Sequence, residues 1–173
     1  MTYQGISRRA IAAAREYIGY ILKNEAVDIE EITAIYSVSP RRVGFALRRI
    51  LRTEDINLPS PSVKAWIQRL SQELGIKPEI TKLAVEIYEK TRRSSSGKCV
   101  RGTAGAAIYI AVDLIRFSDE DRAVLRENGI REVDDPEQRF ITQREIAEAA
   151  RITEVLVRHR YRDMIEWLKR GQS

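Results

Sequence analysis

Apolar residues recur along this chain at spacings of three and four, so that nearly every segment reads as an amphipathic helix. Ile11, Ala14, Ile18 and Leu22 mark one buried face of a helix over residues 7–23. Asp28 with Glu31 forms a capping-box pair that opens a second helix, and Ser39 with Pro40 at the first helical position opens a third, ending near Thr53. "LPSPS" at residues 58–62 reads as a linker, because proline biases the residue before it towards extended backbone. A helix from Pro61 to Leu74 stops at Gly75, another runs from Pro78 to Arg92, and "RRSSSGK" follows as a polar loop.

The next helix, Val100 to Arg116, contains "GTAGAAIYIAV". Its small residues let neighbouring helices approach closely, which predicts the central and most buried helix of its domain despite the propensity cost of glycine. Ser118 followed by Asp119, Glu120 and Asp121 starts a short helix to Asn128, closed by Gly129. Thr142 with Glu145 is a second capping box, and Thr153 is the N-cap of the last helix. The fold class is therefore all-α.

An internal repeat organises these helices. "VDIEEITAIYSVSPRRVGFALRRI" lies over "ITQREIAEAARITEVLVRHRYRDM" without a gap, pairing Glu31 with Glu145, Val38 with Ile152, Ser39 with Thr153 and Val43 with Val157, an offset of 114 residues. Upstream, Tyr17 aligns with Tyr109 at an offset of 92, so the second copy carries about 22 extra residues. Those residues are acidic. Positions 117–138 hold eight acids against three bases, which leaves the rest of a chain of net charge +5 at about +10.

Within the second copy, Ile146 and Ala149 point the same way as Val157, Tyr161, Ile165 and Leu168, and Ala150 to Ile152 makes a turn. The opposite face carries Val155, Arg158, His159 and Arg162 at spacings of three and four, starting at the helix N-terminus. That is the layout of a helix-turn-helix, whose second helix enters the major groove with its N-terminal residues against base edges. Val155 and Leu156 are then candidates for thymine methyl groups, Arg158 for guanine, and Arg162 for phosphate or base. His159 shares that side, and Thr142, Gln143 and Thr153, at helix starts, can bond phosphates. The competing reading is a solvated basic helix pair, or a surface for an acidic protein.

Length and composition narrow the classes. At 173 residues the chain has room for one or two domains, and 43% hydrophobic with 32% charged residues is a globular balance. No apolar run approaches the roughly 20 residues of a membrane span, and the N-terminus lacks the pattern of a secretory signal, so a cytoplasmic location is expected. Cys99 and His159, each the only residue of its type, leave too few ligands for a zinc site. "SSSGK" lacks the pattern of a phosphate loop, since Arg92 stands where the first glycine belongs and Cys99 where Ser or Thr binds Mg²⁺. No nucleophile, base and oxyanion donors come together, so neither an enzyme nor a cofactor is expected.

"GKCVRGTAGAAIYIAVDLI" followed by "TQREIAEAARITEVLVRHRYRDMIEWL" resembles the second cyclin-like repeat of archaeal transcription factor B and eukaryotic transcription factor IIB. That repeat runs Gly-Lys-x-Pro-x-Gly-x-Ala-Ala-Ala, then Thr-Gln-x-Glu-Ile-Ala, then Val-x-x-Arg-x-x-Tyr. Residues 61–170 match it apart from the acidic insertion, and residues 6–52 resemble the later helices of the first repeat. The resemblance implies a partial first repeat over residues 1–57 and a second over 58–173, with the insertion at about 117–139. It also implies promoter DNA and TATA-binding protein as partners, with Val155 and Arg158 on base-reading positions and Lys98 and Arg101 near phosphates. For an archaeal chain the location becomes the nucleoid. Family members begin with a cysteine-rich zinc ribbon that engages RNA polymerase, and these residues contain no such ribbon, so polymerase recruitment by the usual route is not expected. Val100 stands where the family often has proline, and Leu156 where threonine is usual. A first repeat without its opening helices would expose a helix face, which asks for a partner or a second copy of the chain.

Overall fold

The computed structural model describes residues 5–95, 97–131, 133 and 137–171. All regular structure among them is helical, and no helix is long and apolar enough to cross a membrane. Chain contacts divide the protein into two units, with the division between Ser62 and Val63.

The first unit holds α1 (Arg8–Leu22), α2 (Ile29–Ile35) and α3 (Pro40–Thr53). Ser7 caps α1 by accepting from the Ala10 amide at 3.2 Å, and Asp28 Oδ1 caps α2 by accepting from the Glu30 amide at 3.2 Å. At α3 the side chain of Ser39 makes no capping bond, and Pro40 presets the helical φ. The core joins Ala10, Ala13, Ala14, Ile18 and Ile21 of α1 to Ile32 of α2 and to Val43, Ala46 and Ile50 of α3. The alanines shift the buried stripe of α1 away from the expected line. Ile21 occupies its end, and Leu22, one residue and about 100° further round the helix, is 56% exposed.

The second unit holds α4 (Val63–Glu73), α5 (Pro78–Thr91), α6 (Val100–Asp113), α7 (Asp119–Glu127), α8 (Gln143–Ala150) and α9 (Glu154–Lys169). The segment after α5, expected as a loop, winds into a 3₁₀ turn at Arg92–Ser95, tied back by Ser94 Oγ donating to the Thr91 carbonyl at 2.7 Å. Helix α6 packs against α4, α5, α8 and α9, and tightens into a 3₁₀ turn at Leu114–Arg116. Gly102 and Gly105 explain the closeness of that packing. A Cβ on Gly102 would stand 3.0 Å from Leu156 Cγ, and one on Gly105 would stand 3.0 Å from Ile146 Cγ2.

The repeat seen in the sequence is a repeat in space. Helix α1 lies on α3 as α6 lies on α9, and the short helices α2 and α8 each touch both members of their pair. Ser37 and Arg151, 114 residues apart, are both in the left-handed region at φ 51°. The next residue closes each turn the same way: the Val38 amide donates to the Thr33 carbonyl at 3.0 Å, and the Ile152 amide to Ala147 at 2.9 Å.

The acidic insertion contributes α7, which packs on the far end of α9. Leu125 and Ile130 are fully buried, Lys169 Nζ pairs with Glu120 at 2.9 Å and with Asp121 at 3.1 Å, and Asn128 Nδ2 donates to the Leu168 carbonyl at 3.4 Å. The expected Ser118 cap is present, accepting from the Asp121 amide at 3.2 Å, and Gly129 at φ 75° ends the helix. Where the insertion rejoins the repeat, the Lys77 amide donates to Gln138 Oε1 at 3.1 Å and Arg116 lies 3.7 Å over the Phe140 ring.

The capping box of α8 is complete. Thr142 Oγ1 accepts from the Glu145 amide at 3.2 Å, Glu145 Oε2 accepts from the Thr142 amide at 2.8 Å, and Arg139 pairs with Glu145 at 2.6 Å. The Thr142 amide first, and then Arg139, hold the Glu145 carboxyl down at about 2.

Gly105→Ala gains about 1 kcal/mol of helix propensity but presses a methyl onto the fully buried Ile146, so a net loss of about 1 to 2 kcal/mol is expected in chemical denaturation. Gly19→Ala, in α1 with nothing within 4 Å, should gain stability instead. For Glu145, a folded pKa below the unfolded value means that its contribution is present above about pH 4.5 and is lost as pH falls towards 2. Carboxyl NMR should show Glu145 titrating below the other glutamates, and Glu145→Gln should flatten the pH dependence of Tm in that window.

Candidate nucleic-acid interface

Helices α8 and α9 meet at a tight turn in which Arg151 takes the left-handed conformation. Ile146, Ala147 and Ala150 from α8 and Val157, Met164, Ile165 and Leu168 from α9 are buried. Ala149, expected on this inner side, is only half-buried, because Ala147 and Ala150 take the two inward positions of the last turn. Tyr161 is half-buried, its ring 5.2 Å from Tyr109 and 5.8 Å from Phe117.

The outer face of α9 presents Val155, Arg158, His159 and Arg162, all exposed, with Val155 at 56%. Neither Arg158 nor Arg162 has a carboxylate partner among the described residues. Arg158 Nε instead donates to Gln143 Oε1 at 3.4 Å, which brings two expected site residues together across the turn.

Other expected residues are engaged differently. Leu156 is half-buried over Gly102, about 100° round the helix from Val155, so it packs on α6 and does not share the outer stripe. Thr142 and Thr153 cap their helices, with Thr153 Oγ1 accepting from the Leu156 amide at 3.2 Å. Lys98 Nζ pairs with Asp163 at 2.8 Å, beside Arg160 at the same distance. Burial pushes the Asp163 carboxyl up, but Lys98 and Arg160 outweigh it and hold it below the usual carboxylate range. Arg101 lies over the Trp66 ring at 5.9 Å. Both cations thus have partners within the unit, because each sits at the start of α6, where α4 and α9 converge on it.

The aromatic cluster of Tyr109, Phe117 and Tyr161 was not singled out from the sequence as part of the site. The one signal available was the alignment of Tyr109 with Tyr17 in the repeat. Burial raises both phenols, each close to an aspartate, Asp113 beside Tyr109 and Asp28 beside Tyr17.

No family model matches the chain. It is similar to the transcription initiation factor IIB of Sulfurisphaera tokodaii, 33% identical over 168 residues that make up 96% of this chain and 47% of that protein. The factor of the same name from Saccharolobus shibatae is 32% identical over 96% of this chain and 48% of its own length, and that of Pyrococcus horikoshii 31% over 95% and 49%. The chain therefore spans about half the length of the curated relatives it matches. Along nearly all of its own length it is a homologue of transcription initiation factor IIB, with an all-α, cyclin-like fold.

Proposed function

We propose that this chain acts in transcription initiation by binding duplex promoter DNA through α8 and α9. The N-terminal half of α9 lies in the major groove, Val155 meets a thymine methyl, Arg158 reaches a guanine, and His159 and Arg162 contact phosphate or base. The starts of α8 and α9 face phosphates with their free amides and positive dipole ends. The single observation that carries this reading is the exposed stripe of Val155, Arg158, His159 and Arg162, whose arginines lack carboxylate partners among the described residues. In the same reading, residues 1–57 are the later part of a first cyclin-like repeat, residues 58–173 are the second repeat, and TATA-binding protein is a partner on the promoter. The similarity to transcription initiation factor IIB supports this.

A second reading is a module that binds an acidic protein. It is favoured by α3, where Arg41, Arg42, Arg48, Arg49 and Arg52 surround Phe45, itself 55% exposed, and none of these arginines has an ion-pair partner among the described residues.

Fluorescence anisotropy with a randomised duplex library, and with TATA-containing duplexes in the presence and absence of TATA-binding protein, separates the two. For base reading, affinity should fall steeply with salt, Arg158→Ala should cost about 1 to 3 kcal/mol on selected sequences and relax one position, and Arg162→Ala should weaken all sequences more evenly. Binding that is equal for all sequences and unchanged by Arg158→Ala would end the base-reading proposal. Displacement by an acidic polypeptide in preference to any duplex would move the function to the second reading.

A further inference from the structure

Helix α3 carries exposed chemistry of its own, apart from α9. The ring of Phe45 is 55% exposed, and arginines stand one turn before it, at Arg41 and Arg42, and one turn after it, at Arg48 and Arg49, all four exposed on the same side of the helix. Beside the ring a cavity of about 740 Å³ opens between the starts of α1 and α3, with Ile6, Ala10 and Phe45 as its apolar lining and Arg41, Arg42 and Arg48 as its charged lining. Helix α3 contains no acidic residue, and among the described residues none lines the cavity or pairs with any of the four arginines. Arg48 folds back along the helix, its Nη1 4.0 Å from where a Cβ on Gly44 would stand, which brings its guanidinium towards the cavity.

Like charges one turn apart on a helix repel, as Arg48 and Arg52 do here, so this face gains stability from bound anions. The ring decides which anion. A simple anion leaves Phe45 in water, and duplex DNA offers phosphates while its base faces are stacked on one another. An unpaired nucleotide satisfies both groups, because its base presents a free face to an aromatic ring and its phosphate meets a basic groove. Within a strand that base has a phosphate on its 5′ side and another on its 3′ side, just as arginines lie on both sides of Phe45. Arginine suits the task, since its planar fork binds phosphate through two bonds and also stacks on rings. The volume of the cavity falls within the range of about 300 to 1,000 Å³ usual for small-molecule sites, which gives a base room against Phe45, Ile6 and Ala10.

We propose that α3 and the start of α1 form a second nucleic-acid site that takes an unpaired nucleotide, its base stacked on Phe45 and its phosphates on Arg41, Arg42 and Arg48. The chemistry is the same for one unit of a single strand and for a free nucleotide. The site stands independently of base reading by α9, and an acidic polypeptide on α3 is the competing occupant.

Fluorescence anisotropy of the full chain with a labelled oligothymidylate, and with the same strand annealed to its complement, tests this. Phe45→Ala should weaken oligothymidylate binding by about five- to a hundredfold, the range of one stacked base, and Phe45→Trp should keep the wild-type affinity. Because Phe45 lies outside the buried core, helical circular dichroism should not change in either variant. Arg42→Ala and Arg48→Ala should each reduce the slope of log affinity against log salt by about 0.7. Duplex affinity should be indifferent to Phe45→Ala, and single-strand affinity to Arg158→Ala, which separates this site from α9. Competition with ATP distinguishes the two sources: displacement at comparable affinity assigns the site to a free nucleotide, a strong preference for the oligonucleotide assigns it to a strand, and both support the proposal when Phe45→Ala abolishes them. No binding of oligothymidylate or ATP at low salt, equal binding by wild type and Phe45→Ala, or a Phe45→Trp as weak as Phe45→Ala would overturn it. Binding of polyglutamate in preference to oligothymidylate, lost in Phe45→Ala, would also overturn it and give α3 to the acidic protein of the second reading.

Discussion

The geometry of the site depends on a steric constraint between α6 and the two helices laid across it. Without side chains at Gly102 and Gly105, Leu156 and Ile146 come down almost onto the backbone of α6, at the distance where a Cβ would collide. Close packing of this kind leaves α9 little freedom to rotate about its axis. Once Leu156 and Val157 are seated inward, the helical period sends Val155, Arg158, His159 and Arg162 outward together. The outer face is thus a consequence of two glycines on a neighbouring helix. Gly102 and Gly105 carry the propensity cost of glycine within a helix so that this seat exists.

The first unit solves the same problem with Ala10, Ala13 and Ala14, which let α3 approach α1. Both copies keep the left-handed turn residue, the bond that closes the turn and the cap position before the second helix. What differs is the exposed surface. Gly44 takes the place of Arg158, and the cations are displaced to Arg41, Arg42, Arg48, Arg49 and Arg52 around an exposed Phe45. A scaffold set by inward residues tolerates this exchange, because nothing on the outer face of α3 packs against its own core. The two copies therefore share a support and differ in what it carries.

How much was legible in the sequence divides along the same line. Local chemistry was readable: the Thr142 and Glu145 box, the caps at Ser118 and Thr153 and the Gly129 stop are each decided by a few adjacent residues, and each is present. Periodicity gave the outer face of α9 but misjudged edges. Leu22 and Ala149 fit the three-and-four pattern, yet Ile21, Ala147 and Ala150 took the buried positions, since tertiary contacts choose among neighbouring candidates. Leu156, a candidate for a thymine methyl from its place at the helix start, is half-buried over Gly102, a closeness that no local pattern announces. Lys98, which the family resemblance places near phosphates, pairs with Asp163, 65 residues away and beyond the reach of any local pattern. The contact of Arg158 with Gln143 has no sequence signature, for it joins two helices through side chains that are individually ordinary.

Charge placement completes the design of α9. The acids of α7 gather at its C-terminal end, where negative groups oppose the negative end of the helix dipole. Lys169 relieves this by bonding to Glu120 and Asp121, and those bonds hold its ammonium well above its ordinary range. Nearer the middle of the helix, Arg158 and Arg162 have no carboxylate partner among the described residues. In the proposed complex a duplex on α9 would be drawn to these arginines, and phosphates that followed the helix further would meet Glu120. Helix α7 bounds the outer face at the C-terminal end of α9, and in the proposed complex it would keep a polyanion to the stretch of Val155, Arg158 and Arg162.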